Sequence, residues 1–243
     1  MDTMQRSHTH QPKIRTVAGV IFDCDGTLTR TNELIFATFN YITSKYCGKT
    51  YAPSEIIALF GPPEEGAIVQ FVGEDHLAEA MDDLCTFYRN HHREMAGLHA
   101  GIEDVLRFLK SRQIPLGVFT GKGRRTIAIT LEELGIASYF DMVISGNDVQ
   151  RHKPDPEGIE KFVKAFHLNP AEVLMVGDAL GDITAARGAG VVSVAVLWDS
   201  YDRARTARAG AHLLFDDVPS FLSWLTNGVH YAPRGRDQIP TNC

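Results

Sequence analysis

The stretch Val17-Ala18-Gly19-Val20-Ile21-Phe22-Asp23-Cys24-Asp25-Gly26-Thr27-Leu28-Thr29 sets the fold. Its first six residues are apolar or glycine without polar alternation, as in a strand buried on both faces of a parallel sheet. The run ends abruptly in two carboxylates, a glycine and a threonine. Residues i and i+2 of an extended chain project to one side, so Asp23 and Asp25 can face one site, with Cys24 turned inward as a small core residue. Gly26 and Thr27 suit a tight turn immediately afterwards. A calcium loop would need a Glu at its twelfth position; counting from Asp23 that position is Leu34, which excludes an EF-hand.

Runs of the same character recur at residues 116–119, 142–144, 173–176 and 191–197, with a weaker one at 213–215. Helical periods fill the gaps. Ile102, Val105, Leu106 and Leu109 fall at i, i+3, i+4 and i+7, as do Ile159, Phe162, Val163 and Phe166. Ile127, Leu131 and Leu134 repeat the stripe more sparsely. Such alternation predicts an α/β fold with a doubly wound parallel sheet.

Residues 30–98 break the alternation. They show no convincing strand but carry two helical stripes, Ile35/Phe39/Ile42/Tyr46 and Leu77/Met81/Leu84/Tyr88, punctuated by Gly61-Pro62-Pro63. The simplest account is an all-helical cap domain inserted after the first strand, over the carboxyl ends of the strands where open sheets bind ligands. The expected division is a core of residues 16–29 and 99–227, a cap of residues 30–98, and polar tails at 1–15 and 228–243.

Composition narrows the class. The chain has 243 residues, 44% of them hydrophobic, enough for a proper core. With 24 basic against 30 acidic residues the net charge is −6, which argues against nucleic acid as the main partner. No apolar run approaches the roughly 20 residues of a membrane span, and residues 1–11 lack the apolar centre of a signal peptide. The four cysteines, Cys24, Cys47, Cys85 and Cys243, form no Cys-x-x-Cys pair. A reducing, cytoplasmic setting is expected.

Polar groups cluster after successive strands. Thr120 and Gly121 follow the second, Lys153 the third, and Asp178 the fourth, with Asp182 one helical turn further on. Each alone reads equally as a helix cap or a surface charge; together they form a site. Three carboxylates with no His or Cys favour a hard cation, Mg²⁺ before Zn²⁺. Such a cation can bridge to a phosphate oxygen while one Asp attacks phosphorus, and a second carboxyl donates a proton to the leaving alkoxide. The Asp-x-Asp pair offers both roles. The sequence Gly117-x-x-x-Gly121-Lys122 lacks the spacing and the Ser/Thr of a nucleotide P-loop; Lys122 is left as a surface charge or a substrate contact.

Asp23-x-Asp25-Gly26-Thr27, Thr120-Gly121, Lys153-Pro154 and Gly177-Asp178-x-x-x-Asp182 resemble, in order, the four motifs of the haloacid dehalogenase superfamily, over about residues 16–226. The resemblance implies a Rossmann-like core, a helical cap and a Mg²⁺-dependent phosphatase acting through an aspartyl-phosphate. It implies Asp23 as nucleophile, Asp25 as general acid/base, and Mg²⁺ on Asp23, the Asp25 carbonyl and Asp178, with Asp182 in support. Thr120, Gly121 and Lys153 would hold the phosphate. Ala179 stands where many members carry Ser, a peripheral departure.

Dehalogenases of the superfamily lack the second Asp, so Asp25 favours phosphoryl chemistry. Residues 31–35, 60–63 and 88–92 resemble the phosphoglycolate phosphatase group and its inorganic-pyrophosphatase relatives, with a sugar phosphomutase as a rival within the family. A non-catalytic binding module on the same fold is the alternative from another class. The expected partner is a small phosphorylated metabolite, for a monomer or homodimer. Glu33 and Arg89 are candidate substrate contacts in the cap, His91 and His92 are expected on an exposed helix face, and the segment 198–201 is expected near the site entrance with no specific role.

Overall fold

Six strands pair in the spatial order β6-β5-β2-β7-β8-β9, every pairing parallel. These are β2 (Gly19–Phe22), β5 (Leu116–Phe119), β6 (Met142–Ile144), β7 (Val173–Gly177), β8 (Val192–Val196) and β9 (Leu213–Phe215) in a computed structural model that describes residue 14 and residues 16–232. Counted within the sheet, this is the order 3-2-1-4-5-6, in which the chain reverses direction on either side of β2. That reversal opens a crevice at the carboxyl ends of β2 and β7, where doubly wound sheets take their ligands.

Each face of the sheet has its own core. Val20 and Phe22 of β2 join Val118, Val176 and Val194 beneath α5 (Ile102–Ser111), α6 (Arg124–Glu133) and α10 (Val218–Asn227). Ile21 points the other way, joining Met175 and Phe119 beneath α7 (Glu157–Ala165) and α8 (Leu180–Gly188). The stripe read from residues 102–109 is buried throughout, each such side chain contributing about 1.5–3 kcal/mol.

Between β2 and β5 lie α1 (Asn32–Cys47), α2 (Pro53–Ile57), α3 (Glu64–Val72) and α4 (Glu74–Met95). They bury a separate core containing Ile35, Phe39, Ile42, Met81, Leu84 and Tyr88, which Ile129 of α6 also joins. The stretch is not wholly helical. β3 (Thr29–Arg30) and β4 (Gly97–Leu98) pair antiparallel where this helical segment leaves and rejoins the sheet. Two-residue strands of mixed polarity carry no detectable period, which is why the sequence concealed them.

The other correction concerns the C-terminal end. Residues 228–232, read as the start of a polar tail, include β10 (His230–Tyr231), which pairs parallel with β1 (Thr16–Val17). Tyr231 packs edge-on to Phe108 at 5.7 Å and donates from its hydroxyl to the Leu225 carbonyl at 2.7 Å. Residues 1–13, residue 15 and residues 233–243, most of both expected tails and including Cys243, lie outside the described residues. No helix among the described residues is long and apolar enough to cross a membrane.

Candidate active site

The loop after β2 is held by its own backbone. Leu28 and Thr29 donate to the Cys24 carbonyl at 2.9 and 3.0 Å, and Gly26 donates to that of Thr29 at 2.9 Å. Gly26 adopts φ +76°, and a Cβ there would lie 2.7 Å from an Asp178 carboxylate oxygen. Glycine therefore satisfies both the turn and the approach of β7.

One oxygen from each of Asp23, Asp178 and Asp182 can lie within 4.8 Å of the other two, and all three side chains are buried. Lys153 Nζ stands 2.7 Å from Asp23 Oδ1 and 2.7 Å from Asp182 Oδ1, tying the two together. Thr27 donates to Asp178 Oδ1 at 2.9 Å, and the Ala179 amide donates to Asp182 Oδ2 at 3.1 Å. Asp182 thus reaches the cluster from α8 chiefly by holding the lysine.

Electrostatics follow from burial. Desolvation pushes the Asp23 carboxyl up to about 7, against the pull of Lys153. Desolvation, and then the charge of Asp23, raise Asp178 well above the usual carboxylate range. Burial opposes the Lys153 ammonium, but Asp182 and Asp23 outweigh it and raise its pKa. A cluster of this kind is short of positive charge. Its all-oxygen, buried donor set fits a hard divalent cation such as Mg²⁺.

The second carboxylate is held from another side. Asp25 Oδ1 accepts a short hydrogen bond from Thr31 Oγ1 and stands 3.2 Å from Lys122 Nζ. Lys122 is only 6% exposed and lies 4.8 Å over the Tyr88 ring, so its reading as a surface charge is corrected. Thr120 Oγ1 accepts from the Lys122 amide at 3.2 Å, which leaves its own proton free. A cavity of about 300 Å³ joins Asp23, Asp25, Thr120, Gly121, Lys122, Lys153, Asp178 and Asp182.

Two expected substrate contacts are not brought there. Glu33 is exposed in the first turn of α1 and does not line the cavity; an acidic side chain suits that helix end. Arg89 is committed to Glu132 at 2.9 Å and Glu133 at 3.3 Å on α6, and it too lies outside the cavity lining. Nor do the paired histidines form an exposed face. His92 is fully buried against Tyr88, and half-buried His91 stacks on Phe87 at 4.0 Å.

Sequence reasoning missed the supports. Trp198 Nε1 donates to the Thr27 carbonyl at 3.0 Å, while Ser200 and Thr206 hydroxyls donate to the Asp178 carbonyl at 2.5 and 2.9 Å. The segment 198–201 therefore clamps both acidic loops. Glu64, at the start of α3, accepts from the Gly123 amide at 2.5 Å and the Thr126 hydroxyl at 2.6 Å. A Cβ on Gly123 would come within 2.6 Å of that carboxylate, so glycine is what admits it. No motif or period marks these residues.

The haloacid dehalogenase-like hydrolase family model matches residues 20–196, from β2 through β8. The chain belongs to this family. Among haloacid dehalogenase-like hydrolases it is similar to Pyrophosphatase PpaX of Bacillus cereus (strain B4264), 30% identical over 86% of this chain and 96% of that one. It is also similar to Pyrophosphatase PpaX of Bacillus velezensis, 34% identical over 76% of this chain and 85% of that one. Among solved structures, a predicted phosphoglycolate phosphatase from Haemophilus somnus 129pt superposes with a TM-score of 0.76 at 21% identity, covering 86% and 98% of the two chains. A chain assigned as a beta-phosphoglucomutase from Thermotoga maritima gives 0.69 at 26% identity, covering 86% and 99%. The chain is thus a haloacid dehalogenase-like hydrolase with the α/β fold read from its strands.

Proposed function

We propose that this hydrolase cleaves the phosphate monoester of a small metabolite, with Mg²⁺, through an aspartyl-phosphate on Asp23. The observation that carries this reading is the convergence of Asp23, Asp178 and Asp182 around Lys153 at the mouth of the sheet crevice. Lys153 engages Asp23 Oδ1, leaving Oδ2 to attack phosphorus. Thr120 and the Gly121 amide hold the non-bridging oxygens, and Lys153 offsets their charge. Both donors on Asp25 sit on Oδ1, leaving Oδ2 to carry the proton to the departing alkoxide and later to take one from water.

Asp23, Asp178 and the Asp25 carbonyl would hold the cation, which supplies the positive charge that keeps the buried carboxylates ionised and withdraws charge from the phosphate. The free cysteines Cys24, Cys47 and Cys85 support a reducing, cytoplasmic setting. The test is hydrolysis of p-nitrophenyl phosphate. Activity should require Mg²⁺, stop with EDTA and vanish in Asp23→Asn while the circular dichroism spectrum is kept. Substantial turnover by Asp23→Asn would remove Asp23 as nucleophile.

A further inference from the structure

The inventory of charge around the cavity bears on what leaves with the phosphate. Five carboxylates line it, Asp23, Asp25, Glu64, Asp178 and Asp182, against two ammonium groups, Lys122 and Lys153. Both cations are already engaged, Lys153 with Asp23 and Asp182, Lys122 with Asp25 and the Tyr88 ring. No third cation among the described residues lines the cavity. Three arginines of α4 and α6 are taken elsewhere: Arg89 by Glu132 and Glu133, Arg124 by Asp148, Arg125 by Asp82.

The remaining wall is apolar. Ile35, Phe39, Leu59, Phe60 and Ala67 come from the helical segment, and Tyr201 from the loop after β8. Its one charged member, Glu64, has both oxygens engaged by Gly123 and Thr126. Phe60 and Tyr201 are 40% and 42% exposed, two of the four exposed large hydrophobic residues among those described, and their rings meet at 5.9 Å. Phe36 approaches Tyr201 at 6.3 Å, completing an aromatic rim. Large apolar side chains left in solvent beside a cavity mark a surface that something apolar covers.

From this wall we infer the substrate class: a phosphate monoester whose leaving group is uncharged and predominantly apolar, in preference to phosphoglycolate or pyrophosphate. The inference rests on the phosphatase reading of the same site. A second anionic group, whether the carboxylate of phosphoglycolate or the distal phosphate of pyrophosphate, would sit against apolar carbon with no counter-charge. Uncharged carbon would instead displace water from Ile35, Phe39 and Leu59.

Two measurements separate this inference from the reading beneath it. The first compares kcat/KM for benzyl phosphate with those for 2-phosphoglycolate and pyrophosphate under Mg²⁺; benzyl phosphate should lead by about tenfold or more. The second compares calorimetric Kd values of the uncleavable 2-phenylethylphosphonate and 3-phosphonopropionate, isosteres of benzyl phosphate and phosphoglycolate. The phenyl compound should bind about tenfold tighter.

Leu59→Lys, a half-buried position on the wall, should reverse that order. If the wild type prefers 3-phosphonopropionate, or turns over either anion as well as the benzyl ester, the inference is overturned and the phosphatase reading stands. If no ester is hydrolysed, the phosphatase reading falls and the inference that rests on it falls too, whichever phosphonate binds tighter.

Discussion

Asp25 has one oxygen held by Thr31 and Lys122, so under the proposed mechanism the other is the atom that would carry the proton. Replacing it by Asn keeps the shape and removes the transferable proton. Asp25→Asn should therefore slow hydrolysis of alkyl phosphates about 10²–10⁴-fold and of nitrophenyl phosphate far less, because phenolate needs little protonation. Equal losses in steady-state kinetics would rule out the acid role. His99 makes a second residue-scale case. It is buried, its Nε2 stands 3.5 Å from Asp199, and desolvation, then Arg30, lower its pKa to about 4. The unfolded imidazole titrates near 6.5, so between those values the unfolded chain binds the extra proton. The stability present above pH 6.5 is lost as pH falls towards 4, by on the order of 2 kcal/mol after allowing for partial solvent contact. Urea unfolding of the wild type against His99→Gln across this window should show that difference, and parallel profiles would dismiss it. Residues in motifs, such as Asp23 and Asp178, were legible because type and spacing announce them. Lys122 was legible only as one of two readings, surface charge or substrate contact, because nothing in a loop lysine's sequence shows that Tyr88 lies under it.

At the level of elements, Glu64 of α3 reaches the start of α6 and so ties the helical segment to the sheet layer. Glu64 accepts from the amide of Gly123, the residue that opens α6, and from the Thr126 hydroxyl in its first turn. Glu64→Ala should cost about 1–2 kcal/mol in urea unfolding, as loss of a helix cap does, and should raise KM for substrates that need the helices drawn over the cavity. An unchanged midpoint and KM would show the contact to be incidental. The strands β2, β5 and β7 were readable because burial on both faces leaves an unbroken apolar run, β8 because only Ser193 interrupts its run, and α4 because its stripe obeys the helical period. β3, β4, β1 and β10 escaped because two residues cannot express a period. The Glu64 bridge escaped because an acidic residue after Pro63 already has a local explanation in the first turn of its own helix.

Across the whole molecule, the buried acidic cluster of Asp23, Asp178 and Asp182 sets up internal repulsion that a bound divalent cation would relieve. Saturating Mg²⁺, at about a hundred times its Kd, should add about 2.7 kcal/mol of stability and raise the melting temperature by several degrees. A melting curve indifferent to Mg²⁺ and EDTA would deny the site its ion. The chain order of the sheet made the crevice predictable, since the connections leaving the first and fourth strands of a doubly wound sheet turn to opposite faces. The pairing of β1 with β10 has a practical side. Thr16 and His230 are direct ladder partners at the amino end of the sheet, opposite the carboxylates. A bead, dye or surface tether attached beside that short ladder would leave the catalytic mouth facing outward into the bulk solution, unobstructed by its own anchor.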